Sequence, residues 1–575
     1  MSICQSIAAA TGRKAADLLL RGGSVVNAFS GELERADVAI AGGLVVGVGE
    51  GYEAAREIDC TGMYLCPGLI DAHVHLESSC VTLPEFARAV VPRGVTTVIL
   101  DPHEIANVHG VAGVEYVLRS RAGVPLSAFV MAPSCVPATH METAGARLTA
   151  DDIGALLGLD GVLGLAEMMN FPGVLFCDPG VMGKLDAARR AGRVIDGHAP
   201  GLGGRDLNAY VGAGIDSDHE CTTPAEALEK LRRGMYVLIR EGSNARNLAD
   251  LIPIVTEANS RRCCLCTDDR HADDLLAEGS IDHLIRKAVG LGLPAITAIR
   301  MATLNAAERF GLNRHGYGAI APGRRADIAI VPELDDFRPA RVLVGGEPVA
   351  EDGQMIVDLP ASPATLPISM DIDWSSLDDL SVGAPAERTR IRVIEALEGQ
   401  VLTGSSIHEA RIIDGAAVAD IERDILKLAV VERHRGSGNV GLGFVHGFGL
   451  ERGALASSVA HDAHNIVVVG TNDDDMRAAV RALAEVGGGQ VAVCDGEVRA
   501  MLELPIAGLL SEKPLAEVAA ATDRLNRAAA ELGCALHSPF MALSFLALPV
   551  IPELKLTDMG LVDVGAFDFT ELWVE

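Results

Sequence analysis

Short apolar runs broken by glycine open the chain. Between residues 17 and 65, Leu18-Leu19-Leu20, Val38-Ala39-Ile40-Ala41 and Leu44-Val45-Val46 each run into glycine, which predicts short strands joined by tight turns. The same texture returns at 323–331 and 341–348. These two flanks, 1–65 and 316–365, are expected to build one composite β-sandwich domain. The pattern between them is different. Apolar runs at 64–70, 96–100, 127–131, 162–166, 194–195, 214–216, 236–239 and 263–266 alternate with helical stretches. A βαβα order predicts a parallel sheet, and eight such units over 66–315 fit a (β/α)8 barrel. Residues 366–575 read as an additional C-terminal α/β domain, with a strand at 466–469 followed by a helix at 475–486. The acidic stretch 371–379 reads as a linker. The fold class is thus α/β throughout.

Composition narrows the partners. At 575 residues and 49% hydrophobic, the chain can bury several cores. Its formal charge of −30 disfavours nucleic acid and anionic membranes, leaving a small molecule as the expected partner. Twelve cysteines without regular spacing suit reduced thiols in a cytoplasmic protein. Neither a secretory leader nor a membrane-spanning apolar run is expected. In Cys263-Cys264-Leu265-Cys266, residues 264 and 266 share a strand face. They read as buried core, with metal binding as the competing reading.

The candidate chemistry begins at Pro67-Gly68-Leu69-Ile70-Asp71-Ala72-His73-Val74-His75. Residues i and i+2 of a strand face the same way, so His73 and His75 aim into one space and can share a metal ion. Barrel active sites lie at the C-terminal ends of strands. The predicted ends carry Asp101, His103 and Glu104; Ser134; Glu167; His198; Asp218, His219 and Glu220; Glu241 and Ser243; and Asp268 and Asp269. From these, His73, His75 and Asp268 can hold one divalent ion, His198 and His219 a second, and Glu167 can bridge them. Such a pair lowers the pKa of bound water. Asp268 is the expected proton carrier, with Glu167 and His219 as further catalytic groups. The chemistry is hydrolysis at a carbon bearing nitrogen, either amide cleavage or replacement of an amine.

These motifs resemble the amidohydrolase superfamily and, within it, adenine deaminase of the bacterial type. The finer likeness lies in His75–Ser79 (HLESS), Asp101–Glu104 (DPHE), 166–170 (AEMMN), 196–200 (DGHAP), 217–220 (SDHE), 457–465 (SSVAHDAHN) and 552–558 (PELKLTD), and covers nearly the whole chain. The resemblance implies deamination of adenine to hypoxanthine and ammonia in purine salvage. It also implies two Mn2+ or Fe2+ ions, with Zn2+ a third candidate, and a homo-oligomer, expected as a dimer. Asp101, His103 and Glu104 are the expected purine contacts, though Asp101 and Glu104 equally suit orienting a ligand histidine. His461 and His464 are open between metal binding, reaching the barrel mouth and capping an element. A different class of base deaminase carries His-x-Glu with Pro-Cys-x-x-Cys. His75-Leu76-Glu77 meets the first half only, so that class is rejected. Competing readings are an amidohydrolase acting on a cyclic amide or another heterocycle, and an inactive metal-binding scaffold.

Overall fold

The computed structural model describes residues 2–363, 366–385 and 389–574. Eight parallel strands surround the site: β1 (Leu69–Val74), β2 (Val95–Leu100), β3 (Ser127–Ala132), β4 (Val162–Met168), β5 (Val194–Gly197), β6 (Ser217–Asp218), β7 (Tyr236–Arg240) and β8 (Cys263–Cys266). Strands β1 to β5 pair in sequence order, as do β6 to β8. A parallel bridge between Val74 and Asp268 joins β8 to β1. Strands β5 and β6 meet at Gly197, whose N–H is 3.3 Å from Ser217 Oγ. A Cβ there would stand 2.3 Å from the Ser217 carbonyl oxygen, so the approach requires glycine. Ile70, Ile99, Met131, Ala166, Leu238, Cys264 and Cys266 fill the interior. Cys264 and Cys266 are therefore core residues, and burial pushes both thiols up.

Two expected strands are corrected. The apolar run 64–70 serves two sheets. Tyr64–Pro67 pairs antiparallel with Ile328–Val331 outside the barrel, while β1 starts at Leu69. Pro67 has no N–H to continue a ladder, and a Cβ on Gly68 would lie 2.1 Å from Thr96 Oγ1, so the chain changes sheets at this pair. His73 is consequently inside β1 rather than beyond its end. The run expected at 214–216 is only the lead-in to β6, whose pairing begins at Ser217.

The seven-stranded sheet containing Tyr64–Pro67 draws strands from both flanks, Ser24–Asn27 on one side and Ile328–Val331 and Arg341–Val344 on the other. Its core is shared with the four-stranded sheet through Leu18, Val25, Ile40, Leu65, Ile328 and Leu343. The C-terminal region is built on a nine-stranded sheet, largely antiparallel, whose central strand Ile425–Val431 is buried along its whole length. The helix Asp473–Val486 packs on it. Asn472 accepts from the Asp475 N–H at 2.8 Å, and three aspartates in the first turn complement the helix dipole. The acidic stretch is not a loose linker, because Leu377 and Leu380 pack into this region's core.

The C-terminal region is tied to the barrel mouth. The Thr143 N–H donates to Asp558 Oδ1 (2.9 Å), Asn465 Nδ2 to the Thr143 carbonyl (2.9 Å) and Thr557 Oγ1 to the Met141 carbonyl (2.6 Å). The segments 457–465 and 552–558 thus form the seam. Among the described residues no helix is long and apolar enough to cross a membrane.

Candidate metal centre and active site

Alternation along β1 brings His73 and His75 together as expected, with their Nε2 atoms 3.1 Å apart. His75 Nδ1 lies 2.9 Å from the Asp101 carbonyl, to which it donates, and this turns Nε2 inward. Burial opposes charge on this ring, but Asp268 and Glu167 raise its pKa well above the ordinary range. Asp268 Oδ1 is 3.1 Å from His75 Nε2 and 3.6 Å from His73 Nε2. Across the barrel, Glu167 projects from β4 between two pairs of imidazoles. Its Oε1 is 3.4 Å from His75 Nε2 and 3.8 Å from His73 Nε2. Its Oε2 is 2.6 Å from His198 Nδ1 and 3.2 Å from His219 Nε2. The His219 ring stacks on His73 with centroids 4.0 Å apart. All six side chains converge, and all but the partly buried His198 are almost completely inaccessible.

The electrostatics favour cations. Burial alone would push Glu167 up, yet His198 and His219 hold it well below the ordinary carboxylate range. Asp268 is likewise held low against its burial by His73, His75, His219 and Arg240. Burial opposes charge on His219 too, but Glu167 and Asp268 raise it to about 10. Ionised carboxylates among converging imidazoles therefore attract positive charge. The buried donor set, imidazole nitrogen with carboxylate oxygen, suits a divalent transition metal.

The expected purine contacts divide. His103 and Glu104 line the cavity with His75, Glu167, His198, His219 and Asp268, whereas Asp101 does not. Asp101 Oδ2 instead accepts from the Glu167 N–H at 3.2 Å, and Oδ1 faces His103 Nδ1 at 3.4 Å. It is an orienting group behind the site. His103 Nδ1 is also 3.4 Å from Glu167 Oε1, close enough to join the ligand cluster. Glu104 is fully buried with no hydrogen-bond partner on either oxygen, 3.7 Å from His461 Nδ1 and 3.9 Å from His464 Nε2. The backbone N–H of Ala460 donates to His464 Nδ1 at 3.1 Å, which leaves the proton on Nε2. His464 therefore presents a donor to Glu104, not a free metal ligand. His461 reaches the barrel mouth and stacks on Phe545 at 4.6 Å.

Some functional neighbours escape the sequence pattern. Arg240 Nη1 donates to Asp268 Oδ2 at 2.8 Å and pairs with Glu220. It ends β7 one residue before Glu241, the group expected there, and alternation turns Glu241 outward to Lys287 and the Leu248 N–H. Glu220 also joins His198 and His219 in a possible ligand group. Asp71, inside the opening motif, is a strut between β1 and β8: it accepts from Thr267 N (3.0 Å) and Oγ1 (2.5 Å). Asp462 enters the cavity from the C-terminal region with Val401, Phe545, Leu548 and Ile551.

A barrel whose strand ends gather histidines and carboxylates defines a metal-dependent hydrolase, and residues 64–349 match the amidohydrolase family. Residues 400–568 match the adenine deaminase C-terminal domain. An adenine deaminase of Desulfatibacillum aliphaticivorans is 52% identical over 572 residues, 99% of each chain. One of Methanothrix thermoacetophila is 50% identical over 575 residues, 100% of each. One of Dehalococcoides mccartyi (strain ATCC BAA-2266 / KCTC 15142 / 195) is 49% identical over 568 residues, 98% of each. The chain belongs to the adenine deaminase family.

Proposed function

We propose that this chain hydrolyses adenine to hypoxanthine and ammonia, as in purine salvage, at a centre holding two divalent ions. His73, His75 and Asp268 would hold one ion, His198 and His219 the other, with Glu167 between them. Mn2+ and Fe2+ are the proposed metals and Zn2+ the alternative. The observation that carries this reading is Glu167, one oxygen turned to each imidazole pair. When bound, such ions supply Lewis acidity and a water acidic enough to attack near neutral pH.

The chain's own groups do the rest. Water oxygen adds to C6 of the purine, the C6–N bond breaks, and ammonia leaves. Asp268 Oδ1 accepts the water proton and returns it to the departing nitrogen, while Arg240 holds the other oxygen. Glu104 faces the ring and is positioned to donate to or accept from N1, with Glu167 as the second candidate. His103 lies beside the ring, oriented by Asp101. His219 acts with Glu167 and Asp268. Phe545, Leu548 and Ile551 exclude bulk water from the reacting end. A cytoplasmic dimer completes the proposal on composition and resemblance alone.

Ammonia release from a panel of adenine, adenosine, adenine nucleotides and cyclic amides tests it. Adenine is expected to be the substrate and adenosine a poor one. Turnover of adenosine or a cyclic amide with none of adenine would overturn the assignment.

A further inference from the structure

Resting on that reading, we propose that Asp462, carried by the C-terminal region, accepts the ring N–H on the imidazole edge of the purine and thereby restricts the site to free bases. Asp462 is 2% exposed and lines the same cavity as Glu167 and Asp268. Its Oδ2 has no hydrogen-bond partner. Its Oδ1 stands 3.8 Å from His103 Nε2 and 3.7 Å from His461 Nδ1, beyond hydrogen-bond reach. A buried carboxylate with acceptors left over calls for a donor, and among the described residues no protein group supplies one within reach.

Position identifies the donor. One face of His103 looks to the reacting end, with Nδ1 3.4 Å from Glu167 Oε1, and the other looks to Asp462. Glu167 and Asp462 are therefore separated by an imidazole ring with a contact at each end. A purine placed with C6 at Glu167 and Asp268 and lying along His103 directs its five-membered ring toward Asp462. Free adenine carries a proton on that ring, at N9 or N7, and a carboxylate accepts it. A sugar on N9 removes the proton and sets its own bulk against the wall. That wall is fixed: the His461 N–H is held by the Ser544 carbonyl at 3.1 Å, and its ring stacks on Phe545.

Kinetics of the full-length, metal-loaded enzyme on adenine and on 9-methyladenine, which has no ring N–H, test this. The wild type is expected to favour adenine in kcat/KM by about 100-fold. Asp462→Ala should lower kcat/KM on adenine by about 10- to 100-fold, chiefly through KM, and leave 9-methyladenine within about twofold. Asp462→Asn, which keeps the shape and one accepting oxygen, should fall between and serves alone if the alanine variant does not fold. Calorimetric binding of hypoxanthine and 9-methylhypoxanthine should lose the same preference, with metal content unchanged. Equal losses on both substrates, loss of metal, or an unaltered adenine KM would overturn the role of Asp462. A wild type that does not turn over adenine at all would instead overturn the deaminase reading.

Discussion

Lys230 and Glu104 are both fully buried, yet they are treated in opposite ways. Lys230 Nζ meets the Ala199 carbonyl at 2.7 Å, Asp218 Oδ2 at 3.0 Å and Glu226 Oε1 at 2.8 Å, which uses all three of its donors. Asp218 in turn accepts from the N–H groups of Ala199 and Glu220. Glu104 has neighbours at 3.7 and 3.9 Å and no hydrogen bond. The lesson is that a satisfied buried ion is architecture. The Lys230 cluster fixes the strand ends from which His198 and His219 project. A buried carboxyl whose neighbours stop short of a hydrogen bond, and whose pKa burial pushes well up, is in a cavity a candidate for chemistry.

Breaking each side should separate stability from turnover. Asp268→Asn should cut turnover by about 10²- to 10⁴-fold while preserving the fold and much of the metal. Near-normal turnover would mean that another group, Glu104 first, moves the proton. Lys230→Met should lower unfolding free energy by about 3–5 kcal/mol, since it strands the Asp218 charge in the interior. Chemical denaturation measures this, and a loss under about 1 kcal/mol would show that Asp218 finds other compensation. Glu104→Gln should do the reverse, costing under about 1 kcal/mol in stability but about 100-fold in kcat/KM. A large loss of stability with normal kinetics would place Glu104 among the architectural groups.

The smallest expected effect concerns Lys555, a third kind of buried charge. Its ammonium donates to the Val401 and Phe545 carbonyls and, among the described residues, has no carboxylate partner, so burial lowers its pKa to about 7. Between about pH 7 and its ordinary value the unfolded chain binds the extra proton, so this residue makes stability rise with pH. Its penalty is complete below about pH 7. Unfolding of wild type and Lys555→Met at pH 7.5 and 8.5 should differ in slope by about 1.4 kcal/mol per pH unit. Parallel slopes would mean that Lys555 keeps its charge in the fold.

How much of this was legible in the chain depended on the range of the interaction. His73, His75, Glu167, His198, His219 and Asp268 could be placed together because period-two alternation and the barrel rule are both local signals. The start of β1 was misplaced because one apolar run supplies two sheets, and hydrophobicity does not mark the change; only Pro67-Gly68 does. Arg240 was missed by a single residue of register, which decides the facing of a side chain completely. Asp462 carried no periodic signal at all. It reaches the cavity through tertiary contacts between 457–465 and the barrel loop around Thr143, which no window along the chain contains.

In the proposed centre one glutamate serves two ions. The most direct test is metal analysis of wild type, Glu167→Ala and Glu167→Gln, each loaded with Mn2+ and then freed of excess. The wild type is expected to retain two ions per chain and to work without added bicarbonate, because Glu167 is itself a carboxylate and no lysine lies between it and Lys184. Glu167→Ala should lose one or both ions together with activity. Glu167→Gln should be nearly as damaged, since a neutral amide offers one good donor oxygen and no charge. Two ions retained per chain by Glu167→Ala would contradict the account at its centre.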